Sequence, residues 1–423
     1  MIEIPVFFFV LMLLAIAVLG VMLYTNLRER HFRVRVPEEM TRLEQALPSL
    51  VGLTGAAIAD GNRVEVLQNG NGFFPRLLAD IAAAERSVHL ETYVWWRGEI
   101  CRELARALAG RAHAGVEVRL MLDALGAFWM ERDLRRMMRR AGCRVEIYNR
   151  LRPRNLGILN KRTHRKIAVM DGRVAFVFGH GIAEQWTGDG EDERHWRDTG
   201  VRLAGPVAAN VQSVFCEHWV EQTGEVLIGE RYFPSLAPVG KLKVQVFSGS
   251  PKGGISDFEL MFHLAIATAQ RELIIQNPYF IPDDQACDLL ARVVASGVKA
   301  KVMVPGPYID SRLVRHAGHH RYERLLASGV KMFEHRRTLT HQKVMIIDGL
   351  WSHVGSTNLD DRSFDINEEA GVGITDEAIA SELRTAFEED LEGCVELHHR
   401  DFARRSIWHR AIDRLCYLVS EQL

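Results

Sequence analysis

The spacing of apolar residues changes period repeatedly along the chain after residue 60. Short apolar runs at Ser87–Val94 and Val116–Leu122 are typical of buried strands. Between them, Cys101–Ala114 has the three- and four-residue apolar spacing of an amphipathic helix. Strand alternating with helix predicts an α/β fold with a mostly parallel sheet flanked by helices.

The same order of elements occurs twice in the sequence. Three pairs of equivalent positions mark the two copies, with separations of 186, 182 and 177 residues: Tyr93 and Tyr279, Val116 and Val298, and His164 and His341. A nearly constant separation over three pairs indicates an internal duplication. We therefore predict two repeats of similar structure.

The N-terminus carries a long apolar segment from Ile4 to Tyr24 that contains no charged residue. At about 1.5 Å per residue, such a helix would be roughly 30 Å long, the thickness of a bilayer core. The preceding Met1–Glu3 lacks the positive charge of a signal peptide, so we expect an uncleaved anchor. The arginines that follow, from Arg28 to Arg35, place the rest of the chain in the cytoplasm.

Prolines 234 and 238 interrupt the pattern between the copies and favour a boundary there. We predict an N-terminal transmembrane anchor at 1–27, a polar linker at 28–60, repeats at 61–230 and 231–398, and a C-terminal amphipathic helix at 399–423. One face of that helix is apolar, with arginines interleaved: Ile407, Trp408, Ala411, Ile412, Leu415 and Val419. It either lies at a membrane interface or docks on the enzyme's own core.

Net charge excludes nonspecific polyanion binding by the chain as a whole, since the 423 residues sum to −1. Positive charge is nonetheless concentrated between Arg132 and Lys166. This basic run is either a solvated face or a surface for an anionic substrate or membrane. The six cysteines form no CxxC pair and no cluster with zinc spacing. We therefore expect no disulfide framework, no metal and no cofactor.

Each repeat carries a histidine and a lysine two positions apart, followed by an aspartate. The first set is His164, Lys166 and Asp171, and the second is His341, Lys343 and Asp348. Residues two apart on a strand point to the same side, and apolar residues fill the interval before each aspartate. An imidazole beside an ammonium suits a phosphate group, because the lysine holds its oxygens while the histidine attacks.

Two copies of this motif in equivalent places of a duplication resemble the phospholipase D superfamily. The similarity extends from about Val64 to Glu396 and is greatest to bacterial cardiolipin synthases. The segments that carry it are Trp196-Arg197-Asp198-Thr199, Asn277-Pro278-Tyr279-Phe280-Ile281-Pro282, Gly355-Ser356-Thr357-Asn358 and Asn367-Glu368-Glu369.

This resemblance implies that the repeats pack about a pseudo-two-fold axis and place both motifs in one cleft. One histidine would form a phosphatidyl-histidine and the other would act as acid and base; by similarity we assign His164 as the nucleophile and His341 as the acid–base residue. The resemblance further implies that Lys166 and Lys343 bind the phosphate oxygens and that Ser356 and Asn358 help to hold the phosphate. It also implies that Asp198 and Glu369 orient the two histidines.

The implied reaction joins two phosphatidylglycerols into cardiolipin and glycerol at the bacterial inner membrane. A phospholipase D that uses water or another alcohol is the nearest alternative, and a non-catalytic lipid-binding scaffold is a third. Nucleic acid is not expected as a partner, because the chain carries an anchor and shows no platform of aromatic residues beside the basic run. The partners expected are a phospholipid and an anionic membrane surface.

The first repeat departs from the family pattern after its motif. The family has Gly-Ser-x-Asn or Gly-Gly-x-Asn at this point, whereas this chain has Phe178, Gly179, His180 and Gly181. One hydrogen-bonding side chain is therefore missing from the first half-site. Either a water or His180 substitutes for it, or His180 is merely a loop residue.

Overall fold

The protein is described by a computed structural model over residues 34, 42–150, 160–249 and 255–422. The predicted anchor lies outside these residues. Within the described ranges, no helix combines the length and apolar character needed to cross a membrane.

The first repeat follows a short helix, α1 (Leu43–Thr54). Its strands are β1 (Ile58–Gln68), β2 (Ser87–Thr92), β3 (Glu117–Asp123), β4 (Arg144–Tyr148), β5 (Ile167–Met170), β6 (Val174–Phe178) and β7 (Thr199–Ala204). Its helices are α2 (Asn69–Ala83), α3 (Glu99–His113), α4 (Arg132–Arg140) and α5 (Val207–Thr223), with a 3-10 turn at Glu184–Trp186.

The second repeat has the same elements and a C-terminal extension. Its strands are β8 (Leu242–Gly249), β9 (Glu272–Gln276), β10 (Lys299–Pro305), β11 (Lys331–His335), β12 (Val344–Ile347), β13 (Trp351–Gly355), β14 (Glu369–Thr375) and β15 (Cys394–Leu397). The helices are α6 (Asp257–Thr268), α7 (Asp284–Ala295), α8 (Arg312–Ala327), α9 (Asp361–Asp365), α10 (Glu377–Leu391), α11 (His399–Ala403) and α12 (Ile407–Tyr417), before a last 3-10 turn at Ser420–Gln422.

The described strands form one sheet in which the two repeats have identical strand order. The first half runs β1-β7-β6-β5-β2-β3-β4 and the second runs β8-β14-β13-β12-β9-β10-β11, with β15 added at the edge. Strands β1 and β8 join the halves by antiparallel pairing. The duplication inferred from sequence is therefore present in the topology, and equivalent strands carry the two motifs.

The sheet is mixed, so the prediction of a mostly parallel sheet was wrong. Parallel pairing is confined to β2-β3-β4 and β9-β10-β11, where a helix separates consecutive strands. The strands after each motif are antiparallel, because tight turns connect β5 to β6 and β12 to β13. A parallel connection needs a long crossover, which these turns cannot supply.

Burial on both sides explains why the strands after the motifs are continuously apolar. Residues Ile167 and Val169 of β5 face a central core shared by the two repeats, whereas Ala168 and Met170 face the outer core of the first repeat. Strand β12 divides its residues in the same way between the central core and the outer core of the second repeat. Each motif therefore begins deep inside the molecule, at the interface between the repeats.

Candidate active site

Both His-Lys pairs lie directly before their buried strands, so the backbone of β5 and β12 fixes their positions. The side chains of His164 and His341 are 12% and 11% exposed, and Lys166 and Lys343 are buried. The two imidazoles thus keep a small exposed surface, whereas the two lysines are shielded from water.

Backbone hydrogen bonds tie each motif to the opposite repeat. The amide of His164 donates to the carbonyl of Glu368 (2.8 Å), and the amide of His341 donates to the carbonyl of Arg197 (2.7 Å). In each case the acceptor precedes one of the predicted orienting carboxylates. The pairing is the same on both sides of the pseudo-two-fold axis.

The predicted orienting carboxylates reach the histidines across the repeat boundary. Nδ1 of His164 lies 2.9 Å from Oε1 of Glu369, and Nδ1 of His341 lies 2.7 Å from Oδ2 of Asp198. A carboxylate at Nδ1 favours the tautomer with the proton on that nitrogen, leaving Nε2 for the reacting group. Each histidine is therefore oriented by the other repeat.

The two lysines lie against their own histidines. Nζ of Lys343 is 2.9 Å from Nδ1 and 3.1 Å from Nε2 of His341. Nζ of Lys166 donates to the carbonyl of His164 at 3.0 Å and lies 5.7 Å from the ring centroid of Tyr93. Burial lowers the pKa of Lys166 to about 7 and that of Lys343 to about 8. A phosphate group between these ammonium ions would stabilise their charged forms.

Burial also keeps both imidazoles neutral. It lowers the pKa of His164 to about 4, although Glu369 acts in the opposite direction. The pKa of His341 is well below its ordinary value because of burial and the nearby Lys343 and Lys166. Neutral imidazole is the form that can attack phosphorus.

Ser356 and Asn358, predicted to hold the phosphate, have different surroundings. The hydroxyl of Ser356 donates to Glu369, so it supports the carboxylate that orients His164. Asn358 is 5% exposed, and its side-chain oxygen has no hydrogen-bond partner within the described part of the chain. Of the two, Asn358 is the residue with unused hydrogen-bonding capacity.

The departure in the first repeat is explained by Trp186. Its Nε1 donates to Oδ2 of Asp198 at 2.8 Å, the role that Ser356 performs for Glu369 in the second repeat. A Cβ at Gly179 would lie 2.2 Å from Oδ1 of Asp198, and one at Gly181 would lie 2.7 Å from the Trp186 ring. The indole therefore occupies the space of the missing side chains.

His180 and Phe178 are packing residues in this arrangement. His180 is fully buried and stacks on Phe73 with ring centroids 4.2 Å apart. Phe178 is also fully buried and packs against Phe73. Of the two alternatives for His180, its complete burial against Phe73 favours a packing residue. The hydrogen bond that Ser356 gives Glu369 is supplied to Asp198 by Trp186.

The two motif aspartates lie at the far ends of β5 and β12 and do not join the histidines. Asp171 accepts backbone N–H bonds from residues 85, 86 and 87 at 2.7–2.9 Å, and Asp348 accepts equivalent bonds from residues 270, 271 and 272. Both have positive φ, 54° and 53°, and both are followed by a glycine with positive φ. Such a pair forms a type I′ hairpin turn, so these residues hold the strands in register.

Several residues around the site had not been predicted to have a role there. Glu368 lies 3.3 Å from Arg165 and 3.1 Å from His218, whereas its counterpart Arg197 pairs with Asp390 at 2.9 Å. These buried pairs anchor the segments that precede the orienting carboxylates. Arg165 lies inside the first motif, but His218 and Asp390 come from α5 and α10, so these pairings could not be read from the motifs.

The basic run divides into two groups. Arg162 and Arg165 are buried in the site's supporting network, with Arg165 donating to Glu217 at 3.0 Å. The arginines of α4 lie at the surface, where Arg132, Arg136, Arg139 and Arg140 are exposed. Among the described residues of the run, these arginines and the exposed Arg144 are available to an external anionic surface.

Comparison with known proteins gives the family. The family model described as "Cardiolipin synthase, PLD-like domain" matches residues 77–219 and 263–391, which together exceed half of the chain. The chain belongs to the phospholipase D-like cardiolipin synthase family.

Members of this family are similar to the chain over most of its length. It is 31% identical to the major cardiolipin synthase of Bacillus subtilis (strain 168), covering 86% of this chain and 76% of that protein. It is 29% identical to a cardiolipin synthase of Staphylococcus aureus (strain Mu50), covering 90% and 78%. The crystal structure of phosphatidylserine synthase from Haemophilus influenzae Rd KW20 has the same fold, with a TM-score of 0.66 at 14% identity over 90% of this chain and all of that one.

Replacing Trp186 with Phe tests its support of Asp198. We expect turnover to fall roughly 10- to 100-fold, the range for lost outer-shell hydrogen bonds to a reacting histidine's partner. Steady-state kinetics should show the loss mainly in kcat per folded molecule, and the melting temperature should fall as well because the smaller ring leaves a cavity. Ser356→Ala is the matched variant in the other repeat. Full activity in Trp186→Phe would contradict this role.

Replacing Asp171 with Ala tests its structural role. Three backbone donors would lose their acceptor, so we expect the free energy of unfolding to fall by about 2–3 kcal/mol in urea denaturation. Turnover per folded molecule should fall far less than in His164→Ala. Unchanged stability with abolished turnover would instead assign Asp171 to catalysis.

Proposed function

We propose that this protein makes cardiolipin and glycerol from two molecules of phosphatidylglycerol through a phosphatidyl-histidine. The observation that carries the proposal is the crossed pairing of His164 with Glu369 and of His341 with Asp198. It orients two imidazoles beside two ammonium groups, with Nζ of Lys343 lying 3.1 Å from Nε2 of His341. The names of the similar bacterial enzymes support the choice of product.

In the first step, Nε2 of His164 attacks the phosphorus of one phosphatidylglycerol. A phosphorus–nitrogen bond forms while the bond to the headgroup glycerol oxygen breaks, and His341 transfers a proton to that oxygen. Lys166 and Lys343 stabilise the charge that develops on the non-bridging oxygens. The carboxylate of Glu369 stabilises the imidazolium character that His164 acquires.

In the second step, His341 removes a proton from a glycerol hydroxyl of the second phosphatidylglycerol. The alkoxide oxygen attacks phosphorus and the bond to His164 breaks, which releases cardiolipin and restores both histidines. Two successive in-line displacements retain the configuration at phosphorus. His341 is neutral before substrate binds. The negative charge of the bound phosphate must therefore raise the pKa of His341, so that the imidazole gains the proton that it donates.

The alternative acceptors use the same residues. Water or another alcohol in the second step would make the enzyme a phospholipase D, and no contact in the described residues favours that outcome. A non-catalytic scaffold would not require both complete His-Lys-carboxylate sets. Purified protein with labelled phosphatidylglycerol distinguishes the three, since they yield cardiolipin, phosphatidic acid or another transfer product, and no product.

The assignment of the two histidines is tested by trapping with a phosphatidyl donor that has an activated leaving group. We expect His341→Ala to accumulate labelled enzyme, because such a leaving group needs no acid, and His164→Ala to accumulate none. Both variants should lose several orders of magnitude in turnover of phosphatidylglycerol. Peptide mapping that locates the label on His341 would reverse the roles.

The rate should depend on pH as a bell. Below a pKa of about 4 the nucleophile His164 becomes protonated, so kcat/KM falls as the pH is lowered. As the pH is raised, kcat/KM falls for two reasons: Lys166 and Lys343 lose their charge above pKa values of about 7 and 8, and His341 becomes less able to carry the proton that it must donate. Lys166→Arg should lower the rate but move the alkaline limb upward, because arginine stays charged. An unmoved alkaline limb would exclude Lys166 as its source.

The location follows from the sequence of the N-terminus rather than from the described residues. We propose a single-pass anchor at Ile4–Tyr24 in the bacterial inner membrane, with the catalytic part in the cytoplasm and facing an anionic lipid surface. The topology can be tested by fusing to the C-terminus a reporter that is active only outside the cytoplasm. Activity of this reporter would contradict the proposed topology.

A further inference from the structure

The last helix, α12, turns its apolar side away from the protein. Ile407, Trp408 and Leu415 are 77%, 76% and 64% exposed, and Ala411 and Ile412 are exposed as well. At about 100° per residue these five positions fall within an arc of roughly 140° on one side of the helix. The expectation that this side docks on the enzyme's own core was wrong.

The side of α12 that faces α8 combines polar contacts with one small apolar contact. Asp413 is 1% exposed and accepts hydrogen bonds from His316 (2.8 Å) and Arg405 (2.7 Å). Cys416 is buried in a cluster with Val314 and Ala317 of α8, and the ring of Tyr417 lies 4.2 Å from the guanidinium carbon of Arg321. These contacts attach α12 to the body and leave its exposed apolar side without a covering element among the described residues.

Arginines border this apolar side. On the helical arc Arg410 and Arg414 lie next to Ile407, and both are exposed. A cleft of about 470 Å³ beside them is lined mostly by cationic or titratable side chains: His319, His320, Arg324, His399, Arg405, Arg410 and Arg414, with Glu323 and Asp413 as the acids. Apolar side chains bordered by arginines are the composition of a helix that lies in the headgroup region of an anionic bilayer.

The helix also leads to the rim of the catalytic cleft. Directly after it, Gln422 accepts hydrogen bonds from Asn160 (2.7 Å) and, through its backbone carbonyl, from Arg362 (2.9 Å). Asn160 lies four residues before His164. The C-terminal segment is thus connected to the backbone that positions the proposed nucleophile.

The equivalent rim of the first repeat carries exposed aromatic residues. Phe128 and Trp129 are 64% and 57% exposed on the loop after β3. That loop begins at Asp123, whose carboxylate accepts the backbone N–H of Thr163 at 3.2 Å, directly before His164. The two segments with exposed apolar groups, α12 and the loop after β3, are therefore each close in sequence to a residue that is hydrogen-bonded to the stretch before His164, and the arginines of α4 follow the loop.

We propose that α12 lies in the headgroup region of an anionic bilayer and holds the catalytic cleft against the membrane surface. The proposal rests on the proposed function for the identity of the substrate, but the contact itself follows from the exposed apolar side and its arginines. A second copy of the chain covering this side is the competing occupant.

Trp408 provides a direct measurement of the contact. The full-length protein is reconstituted in vesicles of phosphatidylglycerol and phosphatidylcholine with brominated acyl chains, which quench tryptophans near the membrane. We expect the wild type to show a quenched component that disappears in Trp408→Phe. An identical quenched fraction in the two proteins would overturn the proposal, whatever the enzyme's activity.

The functional measurement compares two forms of the substrate. The triple variant Ile407→Ser, Trp408→Ser, Leu415→Ser should lose about tenfold in kcat/KM for phosphatidylglycerol in vesicles, because the apolar contact is gone. Its rate with short-chain, monomeric phosphatidylglycerol should equal that of the wild type. The control is Val226→Ser, Ile228→Ser, a pair 65% and 75% exposed between the repeats, which should change neither rate.

The outcomes separate the two proposals. A wild-type enzyme inactive on both substrate forms would contradict the proposed function, while the quenching would still report the contact. Equal vesicle rates in the triple variant and the wild type would contradict the membrane contact. Light scattering could instead show a dimer for the wild type and a monomer for the triple variant, with unchanged quenching of the remaining tryptophans. That result would show that a second copy covers the helix.

Discussion

The structure of the site depends on the exchange of carboxylates between the two repeats. Glu369 of the second repeat meets Nδ1 of His164, and Asp198 of the first meets Nδ1 of His341. Neither histidine has an orienting group from its own repeat in these contacts. A single repeat would leave its histidine without a carboxylate at Nδ1, because that group comes from the other repeat. Duplication and catalysis are thus linked physically.

The symmetry of this exchange is not complete, and the differences lie in the support of the carboxylates. Glu369 is held by the hydroxyl of Ser356, and Asp198 by the indole of Trp186. The residues that precede them have opposite charge, Glu368 and Arg197. Because hydrogen bonds and neighbouring charges set the basicity of a carboxylate, the two histidines experience different environments within a common frame. Such differences suit two histidines with distinct roles.

Burial gives the site its electrostatic character. The lysines and histidines are withdrawn from water, and their pKa values fall in consequence. The uncharged forms of these side chains are therefore favoured before substrate binds. A negatively charged phosphate raises their pKa values and so favours the protonated forms in a site that is shielded from water. A substrate that carries a phosphodiester between apolar groups fits this environment. The exposed apolar residues of α12 and of the loop after β3 likewise favour an environment that offers apolar contacts.

The sequence by itself determined the duplication and the two His-Lys pairs. Spacing conveys these features, because periodicity and repeated local motifs depend on neighbours along the chain. The orienting carboxylates Asp198 and Glu369 were expected from the resemblance to the family and not from spacing. The sequence also contained a signal for the antiparallel hairpins, Asp171-Gly172 and Asp348-Gly349, which the expectation of a mostly parallel sheet overlooked.

Only the tertiary structure decided which repeat orients which histidine, and which residue of the first repeat takes the role that Ser356 has in the second. The hydrogen bond from Trp186 to Asp198 depends on how a loop folds back on the sheet. The outward direction of the apolar side of α12 depends on the polar contacts of Asp413 with α8 and Arg405, since amphipathic spacing defines two faces but does not say which one the protein covers.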